Sequence, residues 1–293
     1  MRHATILPLP GVAAEASGTQ LWRTSVRQID GGEERDVARP RIGFAYGVAV
    51  AVLRPIMMVV TKRDWHGAEH LPRTGGFIIA LNHVSHVDPI AFAHFLHDNG
   101  GQPRFLAKSS LFTTPVIGWV VRNSGQIPVF RGSRDAAEAF RGAVAAIEAG
   151  ECVAVYPEGT ITREPDLWPM VGKTGAARIA LSTGCPVIPV AQWGPEQLLP
   201  PYKGGRLRPF PRKTMQVTAG PPVELDDLRG RPITPDVLRQ ATERIMREIT
   251  ALLAEIRGET PPATPFDPRT AGSAPRDRST VGEPRPADDG PPS

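Results

Sequence analysis

The stretch Asn82-His83-Val84-Ser85-His86-Val87-Asp88-Pro89 sets a histidine and an aspartate five residues apart. On a continuous helix two such side chains would stand ~140° apart around the axis, and on a strand they would lie on opposite faces. They meet only if the chain turns between them. Ser85-x-x-Asp88 has the form of a capping box, which predicts a helix starting near His86 with Ser85 as its cap. His83 is then left in the preceding loop, free to fold back onto Asp88. In that arrangement Asp88 accepts from one imidazole nitrogen and sets the tautomer, and the other nitrogen is a general base. His83, His86 and Asp88 also belong to metal-binding residue types. Pro89 stands where a further histidine would follow, so no metal is expected.

Two further segments have the residue types of an anion seat. In Gly125-Gln126-Ile127-Pro128-Val129-Phe130-Arg131-Gly132 an apolar run ends in Arg131 and a glycine just before a helical pattern. An arginine beside free helix amides suits an anion. In Tyr156-Pro157-Glu158-Gly159-Thr160-Ile161-Thr162-Arg163 another apolar run enters a glycine turn, whose amides can line an oxyanion or a phosphate. Gly172-Lys173-Thr174 resembles the end of a P-loop, but that pattern needs a glycine where Leu167 stands. Lys173 is therefore read as the start of a helix.

The elements that must position these residues alternate between two periods. Short apolar runs at 77–81, 104–107, 126–130, 152–156, 187–191 and 215–218 read as buried strands. Helical patterns lie between them at 89–98, 111–121, 134–149 and 173–183. Strand–helix alternation predicts an α/β fold with a central, mostly parallel or mixed sheet flanked by helices. A last helix is expected over 234–257, with Thr234 as its cap, Pro235 at its first position and Gly258 as its stop.

The ends differ from this domain. Residues 1–40 lack a periodic pattern and read as a poorly ordered extension. Residues 43–60 are the most apolar stretch, but Arg54-Pro55 interrupts them and a spanning helix needs ~20 apolar residues. A helix lying in one leaflet fits better, so 41–62 is expected to be a membrane-associated helical segment. The domain proper is placed at 63–258. Residues 259–293, with nine of the 32 prolines, read as a disordered tail. The formal charge of +4 is too small to argue for nucleic acid. Cys152 and Cys185 read as small core residues, not as a disulfide framework.

Taken in order, these segments resemble the blocks of the glycerolipid acyltransferases that make phosphatidic acid, the 1-acylglycerol-3-phosphate acyltransferases. Asn82-His83-x-x-x-x-Asp88 is similar to the catalytic block, Gly125–Arg131 to the second, Tyr156–Thr160 to the third and Val187-Ile188-Pro189-Val190 to the fourth. The resemblance implies that His83 and Asp88 are catalytic and that Arg131 contacts the acceptor phosphate. It implies that Asn82, Ser85, Glu158, Gly159 and Thr160 lie on the acceptor side. The third block usually continues with an arginine, and here that place holds Ile161, so Lys108 or Arg163 is expected to substitute. No cofactor is implied. The co-substrate is an acyl-CoA or acyl carrier protein thioester, the other partner a membrane lipid, and the expected location the cytoplasmic face of the cell membrane, peripheral or monotopic.

Overall fold

The computed structural model describes residues 43–129, 133–202 and 205–270. Seven strands form one mixed sheet: β1 (Thr61–His66), β2 (Phe77–Leu81), β3 (Pro103–Lys108), β4 (Ile127–Val129), β5 (Cys152–Val155), β6 (Val187–Trp193) and β7 (Lys213–Ala219). Their spatial order is β1-β7-β6-β2-β5-β3-β4. All neighbours run parallel except β6 and β7. The five strands from β6 to β4 therefore bring their C-terminal ends to one edge, where open α/β sheets take their ligands.

The helices are α1 (Phe44–Val60), α2 (Asp88–Asp98), α3 (Pro115–Asn123), α4 (Ser133–Glu148), α5 (Gly175–Thr183), α6 (Pro195–Leu198) and α7 (Pro235–Arg257). Alternation along β2 divides them between two faces. Ile78 and Ala80 join a core with α4, α5 and α7, through residues such as Ala143, Ala177 and Ile245. Phe77, Ile79 and Leu81 face the other way and pack on Phe92, Phe95 and Leu96 of α2. The strand is buried on both faces, and that is why it reads as an unbroken apolar run. At the N-terminus of α7, the Thr234 side chain accepts from the Val237 amide, as its sequence predicts.

Three expectations change. β1 was not predicted, because Lys62-Arg63-Asp64 breaks every apolar pattern. It lies at the sheet edge and among the described residues pairs only with β7, so Lys62 and Arg63 stay exposed. The helical segment consequently ends at Val60. Arg54, which interrupts the apolar stretch, is paired: its guanidinium meets Asp98 at 2.9 Å, and Arg63 adds a second contact of 2.9 Å to the same carboxylate. The first part of the tail is ordered too. Past Gly258 the chain returns to the fold, and Val171 N–H donates to the Phe266 carbonyl at 3.0 Å. The rest of the tail and residues 1–42 lie outside the described residues. Among the described residues no helix is long and apolar enough to cross a membrane.

Candidate active site

His83 and Asp88 meet as the turn between them requires. β2 ends at Leu81, six residues form a tight loop, and α2 starts at Asp88 itself. The Asp88 carboxyl bends back into that loop. Its Oδ2 accepts from Val84 N–H at 2.6 Å and Ser85 N–H at 2.8 Å, and lies 2.7 Å from His83 Nδ1. The two backbone amides can only donate, so Oδ2 is an acceptor on all three sides. Nδ1 is therefore the donor in its contact with Asp88, and Nε2 makes no hydrogen bond among the described residues. Asp88 is wholly buried, while the His83 side chain keeps 16% of its surface exposed. Burial raises the pKa of Asp88, and the His83 imidazole and the two amides oppose that rise.

The backbone of His83 is held at both ends. Its N–H donates to Glu158 Oε1 at 3.0 Å, and its carbonyl accepts from Thr162 N–H at 2.8 Å. Its ring stacks on Tyr156, with centroids 4.3 Å apart and planes inclined by 27°. The segment after β5 thus holds His83 from two directions. Glu158 is itself buried and accepts from Met170 N–H at 3.0 Å. Burial pushes its carboxyl up to about 8, against the pull of these amides. Gly159 turns with φ +69°, closed by its N–H on the Tyr156 carbonyl at 2.9 Å. A Cβ at Gly159 would come within 2.5 Å of Lys173 Nζ. The lysine head lies directly over the turn.

Several residues take other places than expected. Ser85 does not cap α2. It is fully buried, its Oγ donates to the Leu199 carbonyl at 2.7 Å, and the Val87 amide donates to it at 3.2 Å. The capping box survives only in its reverse half, from the Asp88 carboxylate to the Ser85 amide. Asn82, 1% exposed, spends its amide on Gln192: Nδ2 donates to the Gln192 carbonyl at 3.0 Å and Oδ1 accepts from its N–H at 2.8 Å. These bonds tie the loop after β2 to β6. The amides at the start of α2 are also in use, on Ser85 and Val87 carbonyls.

Lys108 ends β3 at the same sheet edge, exposed, and Thr160 and Arg163 are exposed beyond β5. Ile161 is buried. Arg131 lies outside the described residues. Lys173 does not begin a helix; α5 starts at Gly175, and Lys173 N–H instead donates to the Pro157 carbonyl at 2.8 Å. Tyr156 and Gln192 were missed as supports of the site. Tyr156 had a signal, since it sits at the mouth of β5 directly before the glycine turn. Gln192 had none, because its partner is far away in sequence.

The sheet carries a partly exposed histidine on a buried aspartate at the C-terminal end of a central strand, and residues 62–193 match the family described as Acyltransferase. The chain is 34% identical over 139 residues to a 1-acyl-sn-glycerol-3-phosphate acyltransferase of Borreliella burgdorferi, covering 47% of this chain and 52% of that protein. It is 31% identical over 148 residues to a chloroplastic 1-acyl-sn-glycerol-3-phosphate acyltransferase of Brassica napus, covering 50% and 41%. The chain thus spans about half the length of these curated relatives. The crystal structure of the 1-acyl-sn-glycerophosphate (LPA) acyltransferase PlsC of Thermotoga maritima superposes with a TM-score of 0.51 at 26% identity, over 72% of this chain and 82% of that one. Over residues 62–193 the chain is thus similar to the Acyltransferase family, and the relatives named here are 1-acylglycerol-3-phosphate acyltransferases.

Proposed function

We propose that the protein moves a fatty acyl group from acyl-CoA or acyl carrier protein to the free hydroxyl of a 1-acylglycerol 3-phosphate, giving phosphatidic acid. The observation that carries this reading is the His83–Asp88 pair: a partly open imidazole held through Nδ1 by a buried carboxyl, which leaves Nε2 as the nitrogen for the base's role. A thioester is already activated, with a leaving thiol of pKa ~8.5. What the reaction lacks is a base at the acceptor hydroxyl, which is worth about 10²–10⁴-fold. His83 Nε2 takes the hydroxyl proton as the oxygen attacks the thioester carbonyl. The tetrahedral intermediate collapses, the carbon–sulfur bond breaks, and the imidazolium returns its proton to the thiolate.

No acyl-enzyme is needed, and the buried Ser85 hydroxyl is engaged by Leu199 and Val87. The developing oxyanion falls to the turn after β5. Among the described residues the amides of Thr160 and Ile161 have no protein acceptor, whereas those of Val84 and Ser85 are taken by Asp88. With Ile161 buried and uncharged, Lys173 over Gly159 and Lys108 at the end of β3 are the cations that suit the acceptor phosphate. α1 carries an exposed apolar face, including Phe44, Val52, Ile56 and Val59, that suits insertion into one leaflet. The protein then works peripherally, from the side where the soluble thioester is found.

Ile161 favours one second reading: the same chemistry on a lysophospholipid with another headgroup. Acyl-CoA turnover against a panel of lysophospholipids, with product mass, tests both. Phosphatidic acid as the main product supports the first reading, and preference for another lysophospholipid supports the second. Absence of thiol release with every acceptor refutes the acyltransferase assignment itself.

A further inference from the structure

Between α6 and β7 the chain runs without regular structure through Arg206-Leu207-Arg208-Pro209-Phe210-Pro211-Arg212. Several of its side chains are exposed. Leu207 is 62% exposed and Phe210 66%, and Tyr202 just before them is 54% exposed. Arg206 and Arg208 are exposed as well, and neither makes an ion pair among the described residues. Single exposed apolar residues are ordinary on a soluble surface. Apolar and aromatic side chains interleaved with unpaired arginines in one short segment are the pattern of a surface that meets anionic lipid.

The segment is not loose. Arg208 N–H donates to the Leu198 carbonyl at 2.8 Å. Arg212 Nη2 donates to the Met58 carbonyl at 2.8 Å and its Nε to the Thr61 carbonyl at 3.2 Å. One end is therefore pinned to the last turn of α1, whose Ile56 and Val59 are exposed. The other end adjoins Leu199, whose carbonyl holds Ser85 beside the His83–Asp88 pair. The segment bridges the apolar helix and the catalytic loop.

We infer that residues 205–212 form a second membrane-docking element, in which Leu207 and Phe210 enter the headgroup boundary and Arg206 and Arg208 bind anionic headgroups. This rests on the reading of the protein as a membrane-surface enzyme, and it adds a preference for anionic bilayers that α1 alone does not provide. α1 carries Arg54 as its single charge, and that side chain is paired with Asp98.

The test is co-sedimentation of the full chain with vesicles of phosphatidylcholine alone and with added phosphatidylglycerol. Arg206→Ala/Arg208→Ala should lower partition onto the anionic vesicles about tenfold or more and leave the neutral ones nearly unchanged. Leu207→Ser/Phe210→Ser should lower both. Arg206→Lys/Arg208→Lys, which keeps the charge, should partition like the parent. Unchanged partition of the first two variants overturns the inference. So does a defect seen only in turnover with acyl carrier protein, which would make the segment a protein dock. A parent chain that binds neither vesicle overturns it also. Acyl transfer to a dispersed short-chain lysophosphatidic acid, measured on the same samples, would show that the enzymatic reading survives such a failure.

Discussion

Asn82 and Gln192 stand 110 residues apart and exchange three hydrogen bonds at the join between β2 and β6. The third runs from Gln192 Nε2 to the Asn82 carbonyl at 3.2 Å. This clasp fixes the point where the loop of His83 leaves the sheet. Both residues are buried, so water cannot replace what a truncation removes. Asn82→Ala should cost about 1–3 kcal/mol of stability, measured by urea unfolding. It should also lower kcat while leaving KM for the acceptor nearly unchanged. A raised KM at unchanged stability would instead make Asn82 a substrate contact.

Tyr156 supports His83 by stacking, and its hydroxyl lies 3.5 Å from Gln192 Nε2, at the limit of a hydrogen bond. The ring should therefore matter more than the hydroxyl. Tyr156→Phe should keep kcat within about threefold of the parent. Tyr156→Ala, which loses a ring contact worth about 0.5–1.5 kcal/mol, should lose up to about tenfold. Initial rates of thiol release from acyl-CoA check both.

Glu158 predicts a pH dependence of stability. Burial holds its folded pKa at about 8, against an ordinary value of 4.5. Between these values the folded chain keeps a proton that the unfolded chain has lost. The stabilising contribution is full below about pH 4.5 and is lost as pH rises through about 8. Glu158→Gln removes this titration. Urea unfolding across that window should show stability falling with pH more steeply in the parent than in the variant. Parallel curves would mean that Glu158 is already ionised in the fold.

Lys173 and Lys108 should act on the acceptor and not on the donor. Lys173→Met is expected to raise KM for lysophosphatidic acid by about tenfold or more, with a smaller change for a neutral monoacylglycerol. Lys108→Met should act in the same direction. Arg163→Ala gives the comparison: a larger effect there than at Lys173 would return the phosphate to Arg163, one of the two substitutes the sequence suggests.

How far the sequence speaks for itself follows from how local each signal is. β2 and β5 are apolar on both faces and announce themselves. Thr234 and Pro235 mark the start of α7 within two residues. The His83–Asp88 pair is legible because its spacing forces a turn. β1 is not legible, since an edge strand can keep Lys62, Arg63 and Asp64 in water and needs no apolar pattern. The roles of Ser85, Asn82 and Lys173 are hidden for a different reason. Each is decided by a partner brought up by the fold: the Leu199 carbonyl, Gln192 and the Gly159 turn. A serine three residues before an aspartate looks like a cap until the tertiary acceptor is known.

The central claim is that His83, oriented by Asp88, is the base for direct acyl transfer. It is tested most directly by thiol release and phosphatidic acid formation from acyl-CoA and lysophosphatidic acid with the parent, His83→Ala and Asp88→Asn, each verified as folded by circular dichroism. The prediction is a loss of about 10²–10⁴-fold or more in kcat for both variants with no acyl-enzyme trapped. Near-parental turnover by folded His83→Ala, or an acyl group found covalently on the protein, would contradict it.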